Sequence, residues 1–82
     1  MKYEVDFKPK ALKDLEKLSN NIQNRIIDKV ELMQDNLQGD IKKLTNFTPE
    51  YRLRVGNYRV LFEIENQTII IYRIKHRSQA YF

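Results

Sequence analysis

The order of patterns along the chain predicts an α+β fold in which a helical hairpin covers one face of a four-stranded, mainly antiparallel sheet. Three observations support this prediction. A strand pattern opens the chain, two apolar stripes at helical spacing follow, and three strand patterns with short polar turns complete it. The order is β-α-α-β-β-β, and the second face of the sheet is left open to solvent or a ligand. We expect one domain, residues 1–82.

The first half of the chain has the pattern of one strand and two helices. Apolar and acidic residues alternate at 3–7, which predicts a strand, and Pro9 suits the first turn of a helix. Ser19 or Asn20 can cap the second helix, and Gly39 is expected to end it. Two apolar stripes would face the sheet, formed by Ala11, Leu12, Leu15 and Leu18 in the first helix and by Ile22, Ile26, Val30, Met33 and Leu37 in the second.

The second half of the chain predicts a connection followed by strands. Residues 40–50 (DIKKLTNFTPE) are expected to lack regular structure because they contain Pro49. Gly56 and Asn57 form a two-residue turn of the hairpin type, and a polar ENQ segment supplies the next turn. Strands are predicted at 51–55, 58–64 and 68–74, followed by a basic and aromatic tail, KHRSQAYF.

Positive charge is concentrated in the second half of the chain. The formal net charge is +4 at pH 7, with −1 in residues 1–41 and +5 in residues 42–82. From Tyr51 onward the basic residues are five arginines and a single lysine, Lys75. The planar fork of arginine suits phosphate better than the point charge of lysine. This distribution fits a polyanionic partner, with nucleic acid first, and it fits a soluble basic surface with no partner equally well.

Composition excludes several classes of protein. The chain has no cysteine, and its lone histidine lacks partners for a metal site. Its two glycines do not form a phosphate-binding loop. No stretch approaches the roughly 20 apolar residues of a membrane span, and the charged start is unlike a signal peptide. We therefore expect a cytoplasmic protein with no metal, no cofactor and no membrane association.

The stretch YRLRVGNYRV at 51–60 places arginines together on the open face. With Gly56 and Asn57 as the loop, Arg54 stands directly opposite Arg59, and Arg52 lies one step further along the same face. Like charges directly opposite each other destabilise a sheet, and an anion between them would remove the repulsion. The alternative is that both side chains extend into water and are screened by salt.

The last strand adds an aromatic candidate to this face. If EN or NQ forms a two-residue loop, Ile69 and Ile71 face the core, and Ile70 and Tyr72 face outward with the arginines. Tyr72 is then a platform on which a base could stack, or an ordinary residue of an amphipathic strand.

Three segments resemble the RelE/ParE superfamily of bacterial and archaeal toxins. They are KYEVDFKPKALKDLEKL, KKLTNFTPEYRLRVGNYRVLFEI and IIIYRIKHRSQAY, and the likeness extends from about Lys2 to Tyr81. It implies a toxin of a type II toxin–antitoxin system with a cognate, RelB-like antitoxin encoded beside it. RelE-like members cut mRNA on the ribosome, whereas ParE-like members inhibit DNA gyrase. The positions that correspond to the RelE-type site hold suitable residue types in this chain, which favours the RelE-type activity. Gyrase inhibition without nuclease activity is the alternative.

The resemblance also implies a site. Its positions correspond to Arg52 and Arg54 on the second strand, Arg59 on the third, Arg77 after the fourth and Tyr81 in the tail. We expect catalytic roles for Arg54, Arg59, Arg77 and Tyr81. We expect RNA-binding roles for Arg52 and, beside these positions, for Tyr72, Lys75 and His76. Some RelE members have lysines where Arg52 and Arg54 stand here, and arginine is a poor general base because it holds its proton. Tyr81 could instead accept the proton or stack on a base, and His76 is the other candidate base.

Overall fold

In the computed structural model, which describes residues 2–80, two helices pack against one face of a mixed sheet. The helices are α1 (Pro9–Glu16) and α2 (Asn20–Met33). The strands of this part of the chain are β1 (Glu4–Phe7), β2 (Ile41–Lys43), β3 (Tyr51–Val55), β4 (Tyr58–Glu65) and β5 (Thr68–His76). Their order in the sheet is β1-β5-β4-β3-β2, with β1 parallel to β5 and the other neighbours antiparallel.

The α+β class and the helical hairpin are confirmed, but the predicted number of strands is wrong. Residues 2–80 contain a fifth strand, β2, inside the stretch expected to be a connection. Ile41 pairs with Leu53, and the N–H of Leu44 donates to the carbonyl of Glu50 across the loop. Pro49 lies beyond the end of β2, so its missing N–H does not disturb that short edge strand.

The helix starts follow the sequence, whereas the end of α2 does not. Pro9 occupies the first turn of α1, and the Ser19 hydroxyl caps α2 by accepting from the N–H of Ile22 at 3.4 Å. The expectation that Gly39 ends α2 is wrong, because the helix stops at Met33. Asn36 follows with a φ of +61°, which a right-handed helix excludes.

The segment after α2 is held by the start of the chain. The N–H of Tyr3 donates to the carbonyl of Gln34 at 2.9 Å, and Lys2 forms a β-bridge with Asp35. These bonds use backbone groups that a longer helix would need for itself. The turn out of α2 is therefore fixed by a contact that is distant in sequence.

The core lies between the helices and the sheet. Along β4, apolar residues that face the helices alternate with residues on the open face. Both predicted helical stripes also contribute side chains to the core, although Leu12 of the first stripe is 45% exposed. Burial of these side chains is the main stabilising contribution. The largest fully buried side chains are Phe62, Ile26, Met33, Leu53, Ile69, Ile71 and Val60.

The turns between the last strands have the predicted lengths. Gly56 has a φ of +58°, and Asn66 and Gln67 form the second loop with φ values of +49° and +67°. Positive φ at these positions matches the right-handed twist of hairpin strands. Ile69 and Ile71 consequently face the core, as predicted.

The last strand has a bulge and is longer than predicted. The register between β4 and β5 shifts at Leu61/Phe62, so that Tyr72 and Arg73 together lie opposite Leu61. β5 continues to His76 and β4 to Glu65.

Within residues 2–80, neither helix has the length and apolar character that crossing a membrane requires.

Candidate functional site

The face of the sheet that the helices leave open carries basic residues toward the Gly56 turn. Partners across the strands put Arg54, Arg59 and Lys75 in one row. The adjacent row contains Lys42, Arg52, Leu61 and Arg73. We call the positively charged residues of these two rows the basic end: Lys42, Arg52, Arg54, Arg59, Arg73 and Lys75.

The same face is acidic at its opposite limit. Glu63, Ile70 and Asp6 form one row, and Glu65, Thr68 and Glu4 form the next. We call the four carboxylates Glu4, Asp6, Glu63 and Glu65 the acidic end. An anionic ligand is therefore attracted to one end of the face and repelled by the other.

The pairing of Arg54 with Arg59 is confirmed. The Arg54 side chain is 56% exposed. Nη1 of Arg59 donates to the main-chain carbonyls of Gly56 and Tyr58, both at 3.0 Å. Nε and Nη2 of Arg59 have no hydrogen bond to residues 2–80, so they can donate to an anion.

A carboxylate from the protein itself provides part of the counter-charge. Nη1 of Arg52 donates to the carbonyl of Asp40 at 2.9 Å and to its Oδ1 at 3.2 Å. Oδ2 of Asp40 lies 3.9 Å from Nη1 of Arg54. The Arg52 side chain is only 16% exposed. Asp40 therefore orients Arg52 and reduces the repulsion among the arginines.

Gly39 is what brings Asp40 into reach. Its φ is +130°, and a Cβ at this position would lie 2.9 Å from Cδ1 of Leu53. Residues with a side chain rarely adopt a φ in this range, so glycine is favoured here. The carbonyl of Asp40 then accepts the N–H of Arg54 at 2.9 Å.

The chain after β5 returns to the basic end. The N–H of Arg77 donates to the carbonyl of Asn57 at 2.7 Å, which places Arg77 beside the turn between β3 and β4. Its side chain is exposed and makes no hydrogen bond or ion pair with residues 2–80. Tyr81 lies outside the described residues.

Two of the candidate residues lie apart from the arginine row. His76 pairs with Tyr58 and therefore occupies the face opposite to Arg59 and Lys75. Its Nδ1 accepts the N–H of Ser78 at 3.3 Å, and its ring meets that of Tyr58 edge-on at 5.5 Å. Tyr72 is on the open face but next to the bulge, with Nζ of Lys8 5.4 Å from its ring centre.

Known proteins that are similar to this chain in sequence and in structure identify its family. Residues 5–81 match the family described as the ParE toxin of the parDE type II toxin–antitoxin system. Toxin RelE3 of Methanocaldococcus jannaschii is 38% identical over 82 residues, which cover 94% of this chain and 93% of that protein. The chain belongs to the RelE/ParE superfamily of type II toxins.

Solved structures agree with this assignment. The RelB-RelE antitoxin–toxin complex from Methanococcus jannaschii matches with a TM-score of 0.75 and 38% identity, covering 89% of this toxin and 91% of that chain. The archaeal RelE-RelB complex from Pyrococcus horikoshii matches with a TM-score of 0.77 and 25% identity, covering 98% and 100%. The fold of the toxin is thus that of RelE-like proteins.

An ion pair inside the toxin removes one arginine from the basic end. Nε of Arg73 donates to Oδ2 of Asp14 at 2.8 Å and Nη2 donates to Oδ1 at 3.1 Å, and the N–H of Ile74 also donates to Oδ2, at 2.9 Å. Burial by itself would raise the pKa of Asp14, but these hydrogen bonds outweigh burial and lower the pKa. Arg73 therefore ties α1 to β5.

The sequence did not predict Lys42, Asp40 or Arg73 as residues of this surface. Lys42 and Asp40 depend on β2, which a stretch containing Pro49 did not suggest. Arg73 is placed there by its pairing with Leu61. The available signal was the pair Gly39 and Asp40, since glycine before a short charged stretch can mark a close backbone approach.

Proposed function

We propose that the toxin is a metal-independent endoribonuclease that cuts mRNA bound to the ribosome and so arrests translation. The observation that supports this proposal is the basic end, where Arg54, Arg59 and Lys75 form one row on an open sheet face and Arg77 is tied to the adjacent turn. Guanidinium groups bind phosphate through several hydrogen bonds, and held in place they stabilise charge that develops during reaction.

The proposed reaction uses the RNA's own 2′-hydroxyl as nucleophile. The 2′-oxygen attacks the adjacent phosphorus as its proton passes to a base, and the bond to the 5′-oxygen breaks as that oxygen gains a proton. Arg54 and Arg59 would hold the scissile phosphate, and Arg77 would stabilise the added negative charge. Arg52, oriented by Asp40, would hold the flanking backbone.

The proton acceptor in this scheme is Tyr81, whose phenol must lose its proton more readily than a free tyrosine does. Surrounding arginines favour the phenolate. His76, the other base, lies on the opposite face at the end of β5, so Tyr81 is our first choice. Because arginines alone do not align RNA for in-line attack, the ribosome would supply that alignment, and free RNA would be cut slowly.

The proposed protein partner is a RelB-like antitoxin. Relatives of this toxin were crystallised as RelB-RelE complexes. A basic surface with exposed arginines favours a partner that covers it with acidic or helical segments. We expect the complex to occlude the basic end.

Primer extension on mRNA translated by purified ribosomes tests the proposed activity. We expect cuts inside codons in the presence of the toxin, and about 10²-fold less cleavage or lower still when Arg59 is replaced by alanine. Intact message together with gyrase-dependent DNA breaks would instead establish the second candidate, a ParE-like gyrase inhibitor. That candidate is kept because the matching family is the ParE toxin family.

A further inference from the structure

A second candidate site lies where the start of α1 meets the bulge in β5. A cavity of about 560 Å³ is open here, lined by Lys8, Pro9, Lys10, Pro49, Tyr72 and Arg73. Among the described residues that line it, none is one that we propose acts in RNA cleavage. We call it the Tyr72 pocket.

The Tyr72 pocket is on the same sheet face as the basic end. Tyr72 lies on that face because the bulge places it, with Arg73, opposite Leu61. The loop that carries Pro49 folds over the face, since the N–H of Glu50 donates to Oε2 of Glu63 at 2.9 Å. Pro49 itself is buried. Along β5, Tyr72 is three residues from Lys75, a distance of about 10 Å.

The walls of the pocket combine flat apolar surfaces with positive charge. Two proline rings and the ring of Tyr72 supply the apolar surface, and Nζ of Lys8 lies 5.4 Å from the centre of the Tyr72 ring. Lys10 is exposed at the rim. None of the described residues that line the pocket is acidic. Arg73 is already paired with Asp14, so the uncompensated charge belongs to the two lysines.

This combination matches a nucleotide better than a peptide. A base is planar and stacks on an aromatic ring, while its phosphate is held by a nearby cation. An acidic peptide would use the lysines but would leave the ring and both prolines without a planar partner. We propose that the Tyr72 pocket binds one nucleotide of the RNA next to the cleaved one, with the base on Tyr72 and the phosphate at Lys8 and Lys10. This inference rests on the proposed function, because it takes RNA as the substrate.

Binding of a short fluorescent single-stranded RNA to the full-length toxin, followed by anisotropy, tests this inference. Tyr72→Leu should weaken binding roughly tenfold, whereas Tyr72→Phe should stay within about twofold of the parent because it keeps the ring. With an RNA that lacks its bases, Tyr72→Leu and the parent should bind equally. Thermal unfolding identifies variants that fail to fold, and the exposed Lys8 provides an independent test if Tyr72→Leu is one of them.

Lys8→Ala and Lys13→Ala form a matched pair. Each removes one exposed lysine charge, but Lys13 lies on α1 and does not line the pocket. Lys8→Ala should reduce the slope of log affinity against log salt by about 0.7, the share of one phosphate contact, and Lys13→Ala should reduce it by clearly less.

Three results would overturn the inference: Tyr72→Leu binding RNA as the parent does, Lys8→Ala and Lys13→Ala giving equal slopes, or Tyr72→Leu weakening only the complex with the antitoxin. The assay detects binding of free RNA without requiring cleavage. A toxin that binds RNA through Tyr72 but leaves ribosome-bound mRNA intact would therefore contradict the proposed function alone.

Discussion

The two ends of the open sheet face share the same strands but carry opposite charge. Along β4, Arg59 belongs to the basic end, and Glu63 and Glu65 belong to the acidic end. Alternation along a strand decides which face a side chain occupies, but it does not decide which end of that face is charged or how. Folding alone therefore does not require this difference in charge. The difference would fix both the position and the direction of an extended anion on the sheet.

The ends also differ in how their charges are balanced. At the basic end, the carboxylate of Asp40 pairs with both Arg52 and Arg54. Beside it, the side chain of Arg77 makes no hydrogen bond or ion pair with residues 2–80. At the acidic end, Glu63 accepts the N–H of Glu50, and this bond anchors a loop. The basic end thus retains free donors, whereas a carboxylate of the acidic end serves the structure.

The largest expected effect is on RNA cleavage. It should appear when charge is removed at the basic end and not when charge is removed at the acidic end. Arg59→Ala should lower cleavage of ribosome-bound mRNA by about 10²-fold or more, because a positioned charge on the reacting phosphate is lost. Glu65→Ala, an exposed change at the acidic end, should leave cleavage within about twofold. Single-turnover rates on purified ribosomes measure both. Equal losses in the two variants would remove the functional distinction between the ends.

The next effect concerns Arg73, whose ion pair with Asp14 makes it unavailable to a ligand at the basic end. Asp14→Asn breaks the pair with Arg73 and should cost about 2 kcal/mol of unfolding free energy at neutral pH, since a mostly buried, charged hydrogen bond is lost. Asp28→Asn, at an exposed position in α2, should change stability by less than about 0.5 kcal/mol. Urea unfolding measures both.

The difference in unfolding free energy between the parent and Asp14→Asn should depend on pH in a defined direction. The pKa of Asp14 is lowered in the folded toxin by its bonds to Arg73 and Ile74, which outweigh burial. Its stabilisation is therefore complete above the ordinary aspartate pKa of 3.8 and is lost as the pH falls through the lower, folded value. The gap between parent and Asp14→Asn should close in acid. A gap that is constant down to the acid transition would contradict this assignment.

A smaller effect is expected from Asp40, the carboxylate that pairs with Arg52 and Arg54. Asp40→Asn should tighten binding of a short RNA about twofold to fivefold, because an anion that competes for Arg52 and Arg54 is neutralised. Cleavage should slow at the same time, since Arg52 is held less firmly. Anisotropy and single-turnover rates distinguish the two effects. Weaker RNA binding by the variant would show that Asp40 does not compete with RNA.

The smallest effect is on stability at the basic end. Arg59→Ala removes the repulsion with Arg54 and should hold or raise the unfolding free energy by a few tenths of a kcal/mol. Measured beside its loss of activity, this gain would show that the residue is kept for function. A clear loss of stability would instead assign Arg59 to the fold through its bonds to Gly56 and Tyr58.

The parts of the fold that the sequence predicted are those determined by local chemistry. Gly56 and the loop at Asn66 and Gln67 fixed the turns, and the turns fixed the pairing of Arg54 with Arg59. The class, the helical hairpin and the Ser19 cap follow from spacing and capping in the same way.

The parts that were missed depend on contacts between distant residues. The end of α2 depends on Tyr3, and β2 depends on pairing with β3. Asp40 reaches the arginines from the segment after Gly39, whose φ of +130° favours glycine. The tie between Asp14 and Arg73 depends on how α1 packs against β5. Apart from the pair Gly39 and Asp40, no local pattern indicates such contacts, so the arginines were predicted but their counter-charges were not.

We expect RNA to occupy the basic end of the open face. Backbone amide chemical shifts of the labelled toxin, titrated with a short RNA that cannot be cut, test this expectation. We expect the largest shifts at Arg52, Arg54, Arg59, Lys75 and Arg77, and little change at Glu4, Asp6, Glu63 and Glu65. Shifts that cluster on α2 or at the acidic end, with the arginine row unchanged, would contradict the claim.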